Sequence, residues 1–168
     1  MSARLLLVLG LASVPATVVA QQSYATHTAA SALLPAAIDP ALVAAQLALG
    51  DEATQAGRVA DARRIYRNLI EDQREAGEFA GVAMWRLALN YLYDEDPWRA
   101  AITLDELATA SNRYGDPATE LRATFEAAVL WQQLKRPELV RERYERTMAL
   151  LQSPVIPETQ KADVRKRM

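Results

Sequence analysis

The 168-residue chain carries 19 basic and 21 acidic side chains, for a formal net charge of −2, which gives no global attraction to nucleic acid. It contains no Cys, which excludes disulfides, thiol catalysis and thiolate metal sites, so stability must come from packing alone. Apolar residues make up 51% of the chain but are largely Ala and Leu, with only six Gly, a composition that favours helix.

Residues Met1 to Ala20 read as a secretory signal peptide. Arg4 supplies the positive start, Leu5 to Val14 the apolar run, and Pro15 the break before Ala16 to Ala20. Val18 and Ala20 take the two positions where a signal peptidase requires small side chains, so cleavage is expected after Ala20. An uncleaved anchor is the competing reading, but the apolar run is short for a membrane span. Cleavage removes one basic residue and no acidic one, leaving a 148-residue chain of net charge −3. The expected destination is the periplasm or the exterior, without integral membrane anchoring.

Gln21 to Asp39 is rich in Ala, Ser and Thr and reads as a flexible lead-in. Asp39-Pro40 is the first firm helix start: Asp accepts from free backbone N–H groups, and Pro suits the first helical position. The pair recurs at Asp96-Pro97 and Asp116-Pro117. Apolar spacing then predicts helices over Pro40–Gln55, Arg58–Ala76, Glu78–Tyr93, Pro97–Asn112, Pro117–Leu134 and Pro137–Gln152. Gly57 and Gly77 end the first two, and Ser153–Ile156 links to a short closing helix from Pro157 to Met168. Short connections make consecutive helices antiparallel. No segment alternates as a strand does.

The helices repeat at a step of 39, which aligns Gly57, Asp96 and Lys135, then Ala62, Ala101 and Val140, then Tyr66, Asp105 and Tyr144, and also Leu49, Ala88 and Ala127. Repetition of helical pairs marks a solenoid, in which each pair buries its open face on the next. Leu49-Gly50, the turn at Gly57 and the Ala62/Tyr66 pair resemble the tetratricopeptide repeat (TPR) pattern. Trp85, Ala88, Leu92 and Ala101 continue it in the second pair, and Ala127-Ala128, Trp131, Val140 and Tyr144 in the third. Asp105 departs from the pattern where an aromatic belongs, and the step exceeds the usual ~34 residues. The resemblance implies an all-α fold of antiparallel helix pairs, stacked as a short right-handed α-solenoid over residues 40–152 and closed by a terminal helix within 153–168.

Chemistry-bearing residues are few. His27, the only His, lies in the lead-in, so no positioned base for a Ser-His-Asp triad is expected in the folded part, and no metal site. No cofactor is indicated, since the glycines are isolated rather than gathered in a phosphate loop. The carboxylate groups Asp51-Glu52, Glu71-Asp72 and Asp94-Glu95-Asp96 read as solvated surface. Trp85 and Trp131 read as core and Trp98 as partly exposed. The basic stretch Lys161 to Met168 reads as favourable placement at a helix C-terminus, with contact to an anionic lipid or polymer as the alternative.

In the TPR family, the first helices of successive pairs line a concave surface that holds a peptide or partner helix. That resemblance implies a groove made by Arg86, Asn90 and Tyr93 in the second pair and by Arg122, Phe125, Val129, Gln132 and Gln133 in the third. Arg86 and Asn90 are one turn apart, and with Arg122 they suggest a clamp for a carboxylate; Glu126 nearby is the wrong charge for it. The expected function is a non-catalytic adaptor or scaffold for a peptide or protein partner in the cell envelope. A small carboxylate-dependent enzyme cleaving cell-wall glycan is one alternative. A structural subunit that self-associates as a homodimer through an end helix is another.

Overall fold

The computed structural model describes residues 37–168. The signal segment with its cleavage point at Ala20, His27, and the lead-in up to residue 36 lie outside the described residues. Those described form seven helices and no strand: α1 (Pro40–Gln55), α2 (Val59–Glu75), α3 (Gly81–Tyr93), α4 (Pro97–Tyr114), α5 (Pro117–Gln133), α6 (Pro137–Leu151) and α7 (Glu158–Arg167).

Local chemistry explains the starts. Asp39 accepts from the Ala41 N–H at 2.9 Å, Asp96 from Arg99 at 2.9 Å and Asp116 from Thr119 at 3.0 Å, each with Pro in the first turn. Helix α3 begins later than its spacing predicts, at Gly81 rather than Glu78. Gly77 is left-handed (φ 74°), and Phe79 is drawn onto Tyr114, ring centroids 5.2 Å apart. A side chain at Gly81 would meet that Phe79 ring at 2.6 Å, so only Gly lets the helix start beneath it.

From α1 to α6 each helix packs on the next along the chain, α1 also touches α3, and α7 folds back onto α5. The three turns inside the pairs are one structure. Gly57, Glu95 and Lys135 are all left-handed, with φ of 72°, 56° and 57°. In each, the next N–H reaches back to a carbonyl of the last turn: Arg58 to Ala53 at 2.8 Å, Asp96 to Tyr91 at 2.9 Å, Arg136 to Trp131 at 3.0 Å. The turns between pairs, at Gly77 and Gly115, close in the same way.

These turns correct the uniform step of 39. The interval is 38 from Gly57 to Glu95 and 40 from Glu95 to Lys135. Glu95, not Asp96, is therefore the counterpart of Gly57. Leu104, not Asp105, then stands with Tyr66 and Tyr144, and Ala100, not Ala101, with Ala62 and Val140. Both Ala62 and Ala100 are fully buried, as their close-packed place requires. Gly50, Ala88 and Ala128 form a row of small residues where the helices of a pair approach. At Gly50 an added Cβ would come within 2.4 Å of the buried Tyr66 ring.

The corrected register also shows how neighbouring pairs are tied. Ala53, Tyr91 and Trp131 occupy equivalent places, and both aromatics present a polar edge to the second helix of the preceding pair. The Tyr91 hydroxyl accepts from Arg67. The Trp131 indole donates to Asp105 at 2.8 Å. Arg67 and Asp105 are themselves equivalent, so the tie is kept while donor and acceptor exchange roles. Arg143 completes the second tie with two 2.6 Å bonds to Asp105, which hold its guanidinium firmly protonated.

One core runs through α1 to α5, from Ala53 and Tyr66 through Met84, Leu87 and Leu104 to Trp131. A second closes the C-terminal end, where Leu121, Phe125, Leu150, Leu151, Ile156 and Val164 pack together beneath α7. The basic tail is taken up by internal pairs. Lys161 is buried and donates to Glu158 at 2.9 Å, Arg165 pairs with the same carboxylate, and Arg167 grips Glu126 while lying over Phe125. No buried side-chain polar atom among the described residues lacks a partner.

Candidate partner-binding face

Helix α3 is apolar on two sides. Ala83, Met84, Leu87, Ala88 and Tyr91 point into the core. Val82, Trp85, Leu89, Leu92 and Tyr93 form a second row at helical spacing, and they are exposed or half-buried, Val82 at 60% and Tyr93 at 70%. An amphipathic surface helix would carry polar residues there. The equivalent places on α1 and α5 do not continue the row: Leu47 and Phe125 align with Trp85, and Asp51 and Val129 with Leu89, but Phe125 is buried and Asp51 is a carboxylate paired with Arg86.

The groove residues inferred from sequence fall in different places. Asn90 is buried; its amide donates to the Val59 carbonyl at 3.2 Å, and its oxygen accepts from Arg63 at 3.3 Å. It fastens α3 to the start of α2 and takes no part in an open face. Phe125 is likewise interior, covered by α7. Tyr93 and Gln133 are exposed, Val129 is half-buried against the Phe125 cluster, and Gln132 accepts from the Tyr144 hydroxyl at 3.0 Å.

Arg86 and Arg122 are both exposed but have different surroundings. Arg86 places Nε 3.4 Å from Asp51 on α1. The same Asp51 oxygen accepts from the Tyr66 hydroxyl at 2.7 Å, and burial pushes that phenol up to about 12. Arg122 lies over the Trp85 ring, 4.3 Å from its centroid. Among the described residues it has no carboxylate within ion-pair distance, whereas Glu126 beside it is held by Arg167. Trp85 is half-buried rather than core, Trp131 is core, and Trp98 is partly exposed with its ring edge-on to Trp131 at 5.0 Å.

The carboxylate groups lie at the surface, with Glu52 and Asp72 exposed and several of the others used locally. Asp94 pairs with Arg63 at 2.5 Å, Asp96 caps α4, Glu71 pairs with Arg74, and Glu95 forms a turn. Among the described residues, no group of three or more His, Cys, Asp or Glu is placed to hold a metal ion, and no helix is long and apolar enough to cross a membrane.

Spacing alone takes Val82, Trp85, Leu89 and Leu92 as the packing stripe of α3; the structure instead buries Ala83, Met84, Leu87, Ala88 and Tyr91 and leaves that stripe exposed or half-buried. The available signal was α3 itself, whose 13 residues contain only two strongly polar side chains, Arg86 and Asn90. No protein-family model, curated protein or solved structure matches this chain.

Proposed function

We propose that this protein is an exported TPR-like adaptor that holds a peptide or protein partner in the cell envelope, without catalysis, on the outer face of α3. The observation that carries this reading is the row Val82, Trp85, Leu89, Leu92 and Tyr93. A helix already packed on one side has no folding reason to present five more apolar side chains, and such patches on otherwise polar surfaces mark interaction sites. Arg122, laid on Trp85, adds a cation at the edge of the row that suits a carboxylate of the partner. The identical turns of the three helix pairs support the right-handed solenoid, and the chain's lack of Cys and single His support holding rather than chemistry. The signal pattern over Met1 to Ala20 supports export.

The test is capture from the exported fraction with the wild-type chain and with Val82→Asp/Leu92→Asp. Both positions are exposed, so helicity should be unchanged. A partner held by the wild type, lost by this variant and retained by Val155→Asp is the expected result. Retention by the double variant refutes the face. Arg122→Ala should weaken the same partner, and Arg86→Ala should not, because Arg86 is already paired with Asp51. Export is checked separately: the protein recovered outside the cytoplasm should begin at Gln21.

A further inference from the structure

Helices α2, α4 and α6 are the second members of the three pairs, and the two grooves between them are built on one plan but filled differently. Between α4 and α6, the Trp131 indole and the Arg143 guanidinium both donate to the Asp105 carboxylate. In the turn-based register, the counterparts one pair earlier are Tyr91 for Trp131, Thr103 for Arg143 and Arg67 for Asp105. Between α2 and α4 these leave donors without a carboxylate. Arg67 donates to the Tyr91 hydroxyl, with its guanidinium 5.9 Å from the ring centroid, and no acid among the described residues pairs with it. Tyr91 is 3% exposed, and its own hydroxyl proton meets no acceptor among the described residues. Thr103 is buried and donates to the Arg99 carbonyl at 2.9 Å, so it supplies no acceptor either.

Where Asp105 and Arg143 bridge their groove, this one keeps a cleft of about 460 Å³, a volume suited to a small molecule. Ile70, Met84, Leu87 and Ile102 give it an apolar lining. Arg99 borders it from α4, and its pair with Asp96 is an exposed one at 3.3 Å that leaves other N–H groups free. Helices joined by short turns run antiparallel, so α2 and α4 are parallel. Arg67 and Arg99 therefore lie toward one end of the cleft with Tyr91. Arg74 and Glu106 lie toward the other, roughly 10 Å further along each helix. Glu71, the remaining acid on the wall, is paired with Arg74 at 3.4 Å.

We propose that this cleft binds an organic carboxylate with an apolar body. Its carboxylate accepts from the Tyr91 hydroxyl and the Arg67 guanidinium, as Asp105 accepts from Trp131 and Arg143 in the next groove. Its apolar body lies along Ile70, Met84 and Ile102. The site uses the inward side of α3, shares no residue with the outer face, and stands independently of the adaptor reading.

Hexanoate is the probe, and the protein purified after expression of the whole chain is the sample. Met84 lines the cleft, while Met148 and Met168 lie elsewhere, so methyl NMR of the methionines reads occupancy and its location together. Hexanoate should shift the Met84 methyl saturably and leave the other two in place. Arg67→Met keeps an apolar stem beside Tyr91 and should weaken binding about tenfold or more, as loss of a charge-assisted bond does. Tyr91→Phe should weaken it less, and Arg64→Met, on the exposed side of α2, not at all. Acetate should bind more weakly than hexanoate, and hexanol should leave Met84 unmoved. A Met84 methyl that hexanoate does not shift overturns the proposal. So does undiminished binding by Arg67→Met with its helical circular dichroism intact, or equal binding of hexanol. Equal shifts with inorganic phosphate make the cleft a general anion site and overturn the assignment of a carboxylate.

Discussion

Replacing Asp105 by Ala removes the tie between α4, α5 and α6. The Trp131 indole loses its acceptor and the Arg143 guanidinium loses both of its 2.6 Å bonds. A hydrogen bond to a charged group contributes roughly 1.5–3 kcal/mol. Breaking a buried ion pair from one side costs about 3–5 kcal/mol because the other charge is stranded. Arg143 keeps 19% of its side-chain exposure, so it can turn partly toward water, and the lower figures apply. A loss of about 3 kcal/mol follows, against a domain stability on the order of 5–15 kcal/mol. For a chain of this size that is a fall in Tm of about 10 °C. Asp105→Asn keeps an acceptor oxygen and should lose about half as much. Asp105→Ala with Arg143→Met should lose less than the two singly, because the stranded charge is gone. Thermal melts followed by circular dichroism read all of these. Asp61→Ala, which removes only exposed pairs with Arg58 and Arg64, should change stability by less than about 0.5 kcal/mol. If Asp105→Ala melts with the wild type, or no lower than Asp61→Ala, the tie does not hold the helix pairs together.

Three further outcomes are expected. Glu95→Gly and Lys135→Gly should each raise stability by about 1 kcal/mol in urea unfolding, since both residues hold a left-handed backbone that Gly adopts without strain; a loss in both would contradict the shared turn. Tyr66 has a folded pKa of about 12, raised above its unfolded value by burial, so it stabilises the fold fully below about pH 10 and that contribution is lost as pH rises toward 12. Tyrosinate absorbance should show a late step that titrates together with unfolding, and Tyr66→Phe should abolish it. Glu158 is held below the usual carboxylate range by Lys161 and Arg165, so its contribution is present above the ordinary Glu value and lost as pH falls through the depressed one. Protonation leaves the buried Lys161 ammonium without its carboxylate; hydrogen exchange across α7 should then rise ahead of the rest of the chain, and Glu158→Gln should loosen α7 at neutral pH.

Helix starts were legible wherever a single residue does the work. Asp39, Asp96 and Asp116 each cap with their own carboxylate, and the following Pro needs no partner, so both signals are local and survive folding unchanged. The start of α3 was not legible, because it depends on Phe79 lying on Tyr114, a residue far away in sequence. In sequence the basic tail reads as favourable placement at a helix C-terminus; Lys161 does pair with Glu158 of its own helix, but Arg167 has a partner in Glu126 on α5 that only the fold brings near. Likewise Asp105, a departure from the repeat pattern in sequence, is the acceptor that Trp131 and Arg143 share.

The face on α3 was missed for a sharper reason. Left-handed backbone at Glu95 and Lys135 carries no Gly to announce it, so the repeat step averaged to 39 when it is 38 and then 40. An α-helix turns about 100° per residue. A slip of one residue therefore leaves α3 in place but rotates the side that faces outward, exchanging Trp85 and Leu89 for Arg86 and Asn90. The third pair was not displaced, since Lys135 was already taken as its turn, and there the uncertainty was of another kind: Phe125 is on the expected row, but α7 lies over it. A polar clamp and an apolar patch thus differ by one residue of register. That difference rests on the left-handed φ of one charged residue, Glu95, in the turn after α3.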